Sequence, residues 1–321
     1  MDWAAGQGWH DPRIAPYGPI ALDPAAAALH YGQEMFEGLK AFRGSDGVLR
    51  LFRLDTHVAR MGRGAPRLSM PAPDPELMAE GIRQLVKTDA DWVPSTPGTS
   101  LYIRPTLIAT EAFLGVRPSN KYLFFVILCP VGSYYGGGMR PVKIWIEKGQ
   151  TRAAPGGIGA VKAAANYAAS LEAAMAAKER GYEQVLWLDA RNHETLEEVG
   201  TMNLFVRIGD ELSTAPLGDT ILAGVTRDCV LTLAKDLGLT VRERPISVRE
   251  LVEANANGSL KEVFGTGTAA VISPVGELAF EGSKITINDG AIGEVSQKLY
   301  DAITRIQAGT APDTHGWLQA V

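Results

Sequence analysis

The chain has 321 residues, 46% hydrophobic and 21% charged, with 36 Asp and Glu against 31 Lys and Arg for a formal net charge of −5. That length accommodates one large domain or two smaller ones, and the acidic surplus excludes a protein that tracks nucleic acid on a basic face, while allowing a local cationic pocket for a small anion. Two cysteines a hundred positions apart and five histidines without i,i+3 or i,i+4 pairing support neither a disulfide framework nor a metal site.

Taken in order, the start of the chain has neither a basic n-region nor an apolar h-region, so a cytoplasmic protein is expected. Val48 to Phe52 alternates as a strand after the Ser45-Asp46-Gly47 turn signal. Leu54 to Leu68 reads as a helix with Val58, Met61 and Ala65 on one face, and Pro75 to Val86 as a second. Leu101 to Ile108 and Tyr122 to Cys129 are β-rich, the latter apolar enough for a buried central strand and far too short to span a membrane. The glycine run between Pro130 and Pro141 is the best linker in the chain, although Tyr134 and Tyr135 within it suit a closing lid better than a passive tether.

Beyond the linker, Val142 to Glu147, Gln184 to Asp189 and Thr201 to Ile208 read as strands, and Val263 to Pro274 and Lys284 to Ile287 as further β material. Ala163 to Arg180, Val225 to Leu237 and Glu294 to Gln307 read as helices. Interspersed strands and helices give an α/β or α+β protein of two domains: residues 1–132, a linker and lid over 133–141, and residues 142–321.

Several segments carry chemistry. A Gly-rich loop, Pro155-Gly156-Gly157-Ile158-Gly159, delivers Lys162 to the start of an alanine-rich helix with no acid beside it in sequence. A buried lysine of that kind loses charge stabilisation and becomes a nucleophile able to form a Schiff base, whereas an ordinary lysine at a helix start stays solvated. The loop is not a Walker A motif, because no Gly precedes the Lys and no Ser or Thr follows it. Leu222-Ala223-Gly224-Val225-Thr226 leads into a helix, and Phe264-Gly265-Thr266-Gly267-Thr268-Ala269 is a Gly/Thr turn. Both offer backbone N–H groups and hydroxyls to an anion, and both also fit plain capping or turn roles. Glu198 precedes an apolar strand and can turn inward, while Glu194 and Glu197 read as solvated acids. Tyr102 and Arg104 share one face of a strand, an arrangement that suits a carboxylate or a surface ladder.

Together these segments supply a Schiff-base lysine, two phosphate anchors, an acid for a pyridinium nitrogen and a carboxylate reader. They also carry a likeness. His30-Tyr31-Gly32-Gln33-Glu34-Met35-Phe36-Glu37-Gly38, Tyr102-Ile103-Arg104-Pro105, the Lys162 segment, Glu198-Val199-Gly200-Thr201-Met202-Asn203 and Gly224-Val225-Thr226-Arg227 resemble the branched-chain amino acid aminotransferases, in order and over nearly the whole chain. Those are fold-type IV pyridoxal phosphate enzymes, and the resemblance implies a small N-terminal α/β domain, a larger C-terminal pseudo-barrel and a homodimer.

The resemblance assigns Lys162 to the internal aldimine and to proton transfer, Glu198 to the pyridine nitrogen and Tyr167 to the phenolic oxygen of pyridoxal 5′-phosphate. Arg60, Val225, Thr226 and Thr268 would hold the phosphate, with Thr201 and Leu222 also at the cofactor. Phe36, Tyr102 and Tyr134 would line the pocket for leucine, isoleucine or valine. Gly267, Thr268, Ala269 and Tyr31 would take the α-carboxylate, and Arg104 the second carboxylate of glutamate or 2-oxoglutarate. Tyr31 and Val116 would reach into the partner subunit's site. Where animal members carry a Cys-x-x-Cys switch this chain has Ala270-Val271-Ile272-Ser273, so no thiol regulation is expected there. D-amino acid aminotransferases, aminodeoxychorismate lyases and a non-enzymatic phosphate-binding module are the competing readings.

Overall fold

The computed structural model describes residues 1–132 and 138–321. Contacts divide these into two compact units. Met1–Gly132, Val161–Ala165 and Ile306–Val321 form the first, and residues 138–160 with Asn166–Arg305 form the second. The sequence reading put 161–165 and 306–321 in the large domain, but they pack within the first unit. Of the expected lid, residues 133–137, including Tyr134, lie outside the described residues.

The first unit is built on β1 (Asp2–Ala4), β2 (Gly8–His10), β3 (Glu34–Phe36), β4 (Leu39–Arg43), β5 (Leu49–Phe52), β6 (Ser100–Ala109) and β7 (Lys121–Val131). They hydrogen-bond in the order β5-β4-β6-β7-β1-β2, with β3 also on β6. The long β6–β7 pair runs in continuous antiparallel register from Ser100 opposite Val131 to Ala109 opposite Tyr122. Tyr122 and Phe124 are buried as their apolar run predicts, but Ile127 and Cys129 at the other end of β7 are exposed. So β7 is buried at one end only.

Helices α1 (Ala27–Tyr31), α2 (Leu54–Gly64) and α3 (Pro75–Thr88) belong to this unit. Leu54, Val58 and Met61 give α2 its buried stripe. The helix was expected to run to Leu68. It tightens instead into a 3₁₀ turn over Ala65–Leu68, where Pro66 has no N–H to continue the α pattern. Pro75 opens α3, whose first turn is capped by the Asp74 carboxylate accepting from the Leu77 N–H at 2.9 Å.

The second unit contains β8 (Val142–Ile146), β9 (Gln184–Leu188), β10 (Leu196–Val199), β11 (Met202–Ile208), β12 (Glu211–Thr214), β13 (Thr240–Glu243), β14 (Leu260–Gly267), β15 (Val271–Phe280) and β16 (Ser283–Thr286). The order β10-β9-β8-β15-β14-β11 closes on itself because β11 pairs back with β10, making a six-stranded barrel-like ring. Ile144, Leu186, Val206, Val263 and Leu278 from these strands are buried in one apolar cluster.

Helices α4 (Ala164–Ala169), α5 (Leu171–Glu179), α6 (Val225–Asp236), α7 (Val248–Ala256) and α8 (Glu294–Gln307) follow. The alanine-rich stretch is two helices rather than one. At Ser170 the backbone N–H and the hydroxyl both bond the Tyr167 carbonyl, an i−3 pairing that competes with the α pattern. The last strand, β17 (Leu318–Ala320), returns to the first unit and pairs antiparallel with β5, Leu318 opposite Phe52. Among the described residues no helix is long and apolar enough to cross a membrane.

Candidate active site

In the first unit, aromatic and cationic side chains gather on the face shared by β3, β4 and β6. Tyr102 and Arg104, two apart on β6, point the same way. Arg104 Nη2 donates to the Tyr102 hydroxyl at 2.9 Å, and the guanidinium lies 4.5 Å from the Phe36 ring centroid. Its buried Nε has no hydrogen-bond partner among the described residues. Gly38 leaves room for this pair, because a Cβ there would overlap the Tyr102 hydroxyl. Lys40, opposite Tyr102 in the β4–β6 register, is a cation the sequence reading missed, and burial pushes its amine down to about 8.

Lys162 joins the same cluster. Ala163 bridges Met35, the Lys162 carbonyl accepts the Phe36 N–H at 3.1 Å, and Nζ stands 4.8 Å from the Phe36 ring centroid. Gly64 permits this approach, since a Cβ there would come within 2.8 Å of Met35 Cε and 3.3 Å of Val161 Cγ1.

Arg60, on α2, is buried against Glu37. Its Nε and Nη2 donate to the two carboxylate oxygens at 2.7 and 2.8 Å, and His57 Nδ1 lies 2.8 Å from the same carboxylate. Burial alone would raise Glu37, yet the Arg60 charge and hydrogen bonds, aided by His57, hold it far below the usual carboxylate range. Burial pushes His57 down, only partly offset by Glu37, which keeps the imidazole mainly neutral at pH 7. Tyr31 is half exposed, with its hydroxyl on the Leu114 carbonyl, and Val116 is 86% exposed.

In the second unit, Glu198 is buried on β10, beyond which the exposed Thr201 forms part of the tight turn into β11. Its Oε1 accepts from the Leu222 N–H at 2.8 Å and from Asn203 Nδ2 at 3.2 Å, while Oε2 meets Arg152 Nε at 3.2 Å. Asn203 Nδ2 also donates to the Leu222 carbonyl at 2.9 Å. Strand register sets Asn203 beside Glu198 on one side and Thr266 on the other, a polar row across β10, β11 and β14. Val225 and Thr226 are buried in the first turn of α6. Gly267 ends β14, and Thr268 and Ala269 form the turn into β15. Tyr167 sits half-buried on α4.

One acid corrects the sequence reading. Glu194 is exposed as expected, but Glu197 is only 8% exposed. It lies on β10 rather than in a loop, and burial pushes its carboxyl up against an opposing hydrogen bond from Thr220. Arg152 and His57 also escaped the sequence reading. Glu37, Asn203 and Thr266 stood inside the quoted runs, but their own contacts were not read from them.

The profile described as amino-transferase class IV matches residues 34–278, which contain every site residue named above except Tyr31. The chain belongs to the class IV aminotransferases. Among curated relatives, this aminotransferase is 51% identical over 321 residues to branched-chain-amino-acid aminotransferase 2 of Bacillus subtilis, covering 100% of this chain and 88% of the relative. It is 52% identical over 318 residues to branched-chain-amino-acid transaminase 1 of the same organism, covering 99% and 89%.

Its fold is that of the fold-type IV enzymes. The branched-chain amino acid aminotransferase of Escherichia coli superposes with a TM-score of 0.81 at 28% identity, covering 93% of each chain. The T.th. branched-chain amino acid aminotransferase solved with pyridoxamine 5′-phosphate gives a TM-score of 0.81 at 27% identity, covering 99% and 97%. The residues here suit such a cofactor. A buried acid ends one side of the polar row, and at the other side the Thr266 hydroxyl is 1% exposed with no hydrogen-bond partner among the described residues.

Proposed function

We propose that this aminotransferase exchanges the amino group reversibly between L-leucine, L-isoleucine or L-valine and 2-oxoglutarate, giving branched-chain 2-oxo acids and L-glutamate. In this reading it works in the cytoplasm as a homodimer loaded with pyridoxal 5′-phosphate. The observation that carries the substrate reading is Arg104, whose guanidinium lies over Phe36 and beside Tyr102 with Nε unpartnered among the described residues. One surface thereby offers aromatic contact to a hydrocarbon side chain and a cation to a second carboxylate, which would otherwise be stranded on hydrocarbon. The names of the relatives support branched-chain amino acids as the amino donors.

Bound pyridoxal phosphate supplies the electron sink for the pair left when the substrate Cα–H bond breaks. Lys162 would be the amine offered to the cofactor aldehyde and would take and return the proton at the substrate Cα. Glu198 would hold the proton on the ring nitrogen, which would strengthen the sink. Tyr167 would donate to the phenolic oxygen, with Thr201 and Leu222 also at the cofactor. The phosphate falls to Arg60, the Val225 N–H at the start of α6, Thr226 and Thr268. The turn amides of Gly267, Thr268 and Ala269 take the α-carboxylate, with Tyr31 and Val116 contributed across the dimer. Tyr134 completes the pocket with Phe36 and Tyr102.

The test is a substrate panel on the purified protein. L-Leucine should shift its visible absorption and 2-oxoglutarate should restore it, while D-leucine and D-alanine leave it unchanged. A response to the D-enantiomers would favour a D-amino acid aminotransferase. Release of pyruvate from aminodeoxychorismate would favour a lyase. A colourless protein that takes up no added pyridoxal phosphate would defeat the cofactor reading altogether.

A further inference from the structure

Arg152, ten residues before Lys162, ties together three segments of the second unit. Its Nε is 3.2 Å from Glu198 Oε2, and both side chains are nearly buried, at 9% and 4% exposure. Its Nη2 donates to the Gly159 carbonyl at 3.2 Å and to the Thr220 carbonyl. Gly159 belongs to the glycine loop that leads to Lys162, and Thr220 to the loop that leads into α6. The two loops are also joined directly, since the Ala160 N–H donates to the Asp219 carbonyl at 2.8 Å and the Gly156 N–H to the Asp219 carboxylate at 3.2 Å. Gly159 is needed there, as a Cβ would fall 2.8 Å from the Asp219 oxygen.

We propose that Arg152 is the positioning residue that keeps Glu198 ionised, and so decides on which side of the Glu198–ring nitrogen hydrogen bond the proton rests. The inference rests on the reading above that Glu198 meets the pyridine nitrogen. A carboxylate and a pyridine in a dry site share a proton two ways, as a charged pair or as a neutral one. Low polarity favours the neutral pair, which returns the proton to the acid and weakens the electron sink. A guanidinium on the carboxylate's far oxygen stabilises the anion more than it opposes the more distant ring cation, and tips the balance to the charged pair. Asn203 and the Leu222 N–H occupy the other oxygen but carry no charge, so they cannot replace it. Glu197, whose carboxyl also feels the Arg152 charge, lies next in sequence on β10.

The experiment loads Arg152→Gln, Arg152→Lys and Glu198→Gln enzymes with pyridoxal phosphate labelled with ¹⁵N in the ring. It reads the nitrogen chemical shift, together with kcat and KM. Arg152→Gln should move the resonance toward the unprotonated position and lower kcat by roughly ten- to a hundredfold while KM changes little. Arg152→Lys should keep the resonance near the wild-type position even where cofactor affinity falls, because the charge survives while the carbonyl clamp is lost. A merely structural arginine would instead weaken cofactor binding in both variants and leave the resonance in place. Movement in Glu198→Gln alone would overturn the role of Arg152 and keep Glu198 at the nitrogen. No movement in any variant would overturn the Glu198 reading itself. If Arg152→Gln does not fold, Arg152→Lys decides, and an unprotonated resonance there sinks the proposal.

Discussion

The Arg104 guanidinium donates to the Tyr102 hydroxyl at 2.9 Å, and the two residues alternate with Ile103 on one strand. Such a pair can open to a ligand carboxylate and close again without it. Arg104→Leu should therefore cost the glutamate half-reaction about 1.5–3 kcal/mol, roughly ten- to a hundredfold in kcat/KM, and the leucine half-reaction much less. Single-turnover rates with each amino acid measure this. Equal losses would mean that Arg104 does not read the second carboxylate.

Lys162 is reached through a short extended segment held to β3 by the Ala163–Met35 bridge, so its backbone does not depend on its own amine. Lys162→Ala should abolish transamination while still binding the cofactor without a covalent link. Borohydride reduction of the wild type followed by peptide mass analysis should mark Lys162. Activity retained in the alanine variant, or a label on another lysine, would move the reacting amine elsewhere.

Glu37 is the anion of a buried cluster with Arg60 and His57, and Glu37→Ala removes the carboxylate that both of them meet. The expected cost is about 3–5 kcal/mol, seen as a large fall in the melting temperature. Because the folded-state value of Glu37 is depressed, its stabilisation is complete above the unfolded carboxyl value near ~4.3. Below that it declines by about 1.4 kcal/mol per pH unit as pH falls toward the folded value. The melting-temperature gap between wild type and Glu37→Gln should therefore narrow from pH 7 to pH 3. A constant gap would mean the carboxylate charge is not what stabilises the cluster.

Tyr31 and Val116 are exposed together with Leu29 and Leu114, an apolar group suited to burial against a second copy. Light scattering should give a mass near twice that of the chain. Mixing and refolding inactive Lys162→Ala and Tyr31→Ala subunits should restore activity at about a quarter of the sites, since random pairing gives each heterodimer one intact site. A mixture no more active than its parts would place Tyr31 in its own subunit's site.

Much of the organisation was legible where local patterns are strong. The helical stretch from Pro75 in α3, the alternation of β5 and the apolar run of β7 each announced an element. The first two strands, three residues each, were too short to show a period, and β3 and β4, on either side of Gly38, went unassigned. Lys162 and Glu198 stood out through their flanking motifs. Arg152 did not, because two of its partners, Glu198 and Thr220, lie 46 and 68 residues away, which no local pattern encodes. Glu37 and His57 failed for the same reason: their pairing spans 20 residues and a strand-to-helix turn.

The C-terminal strand β17 edges β5 in the first unit, and residues 161–165 lie against β3. A ribosome therefore cannot finish the first unit before it has made nearly all of the second. The β5 edge stays open, a template for stray pairing, throughout that synthesis. Residues near Leu318 thus act late, as a latch on the earliest part of the chain. Their loss should appear first as aggregation during expression, with the chemistry of any molecules that do fold left largely intact.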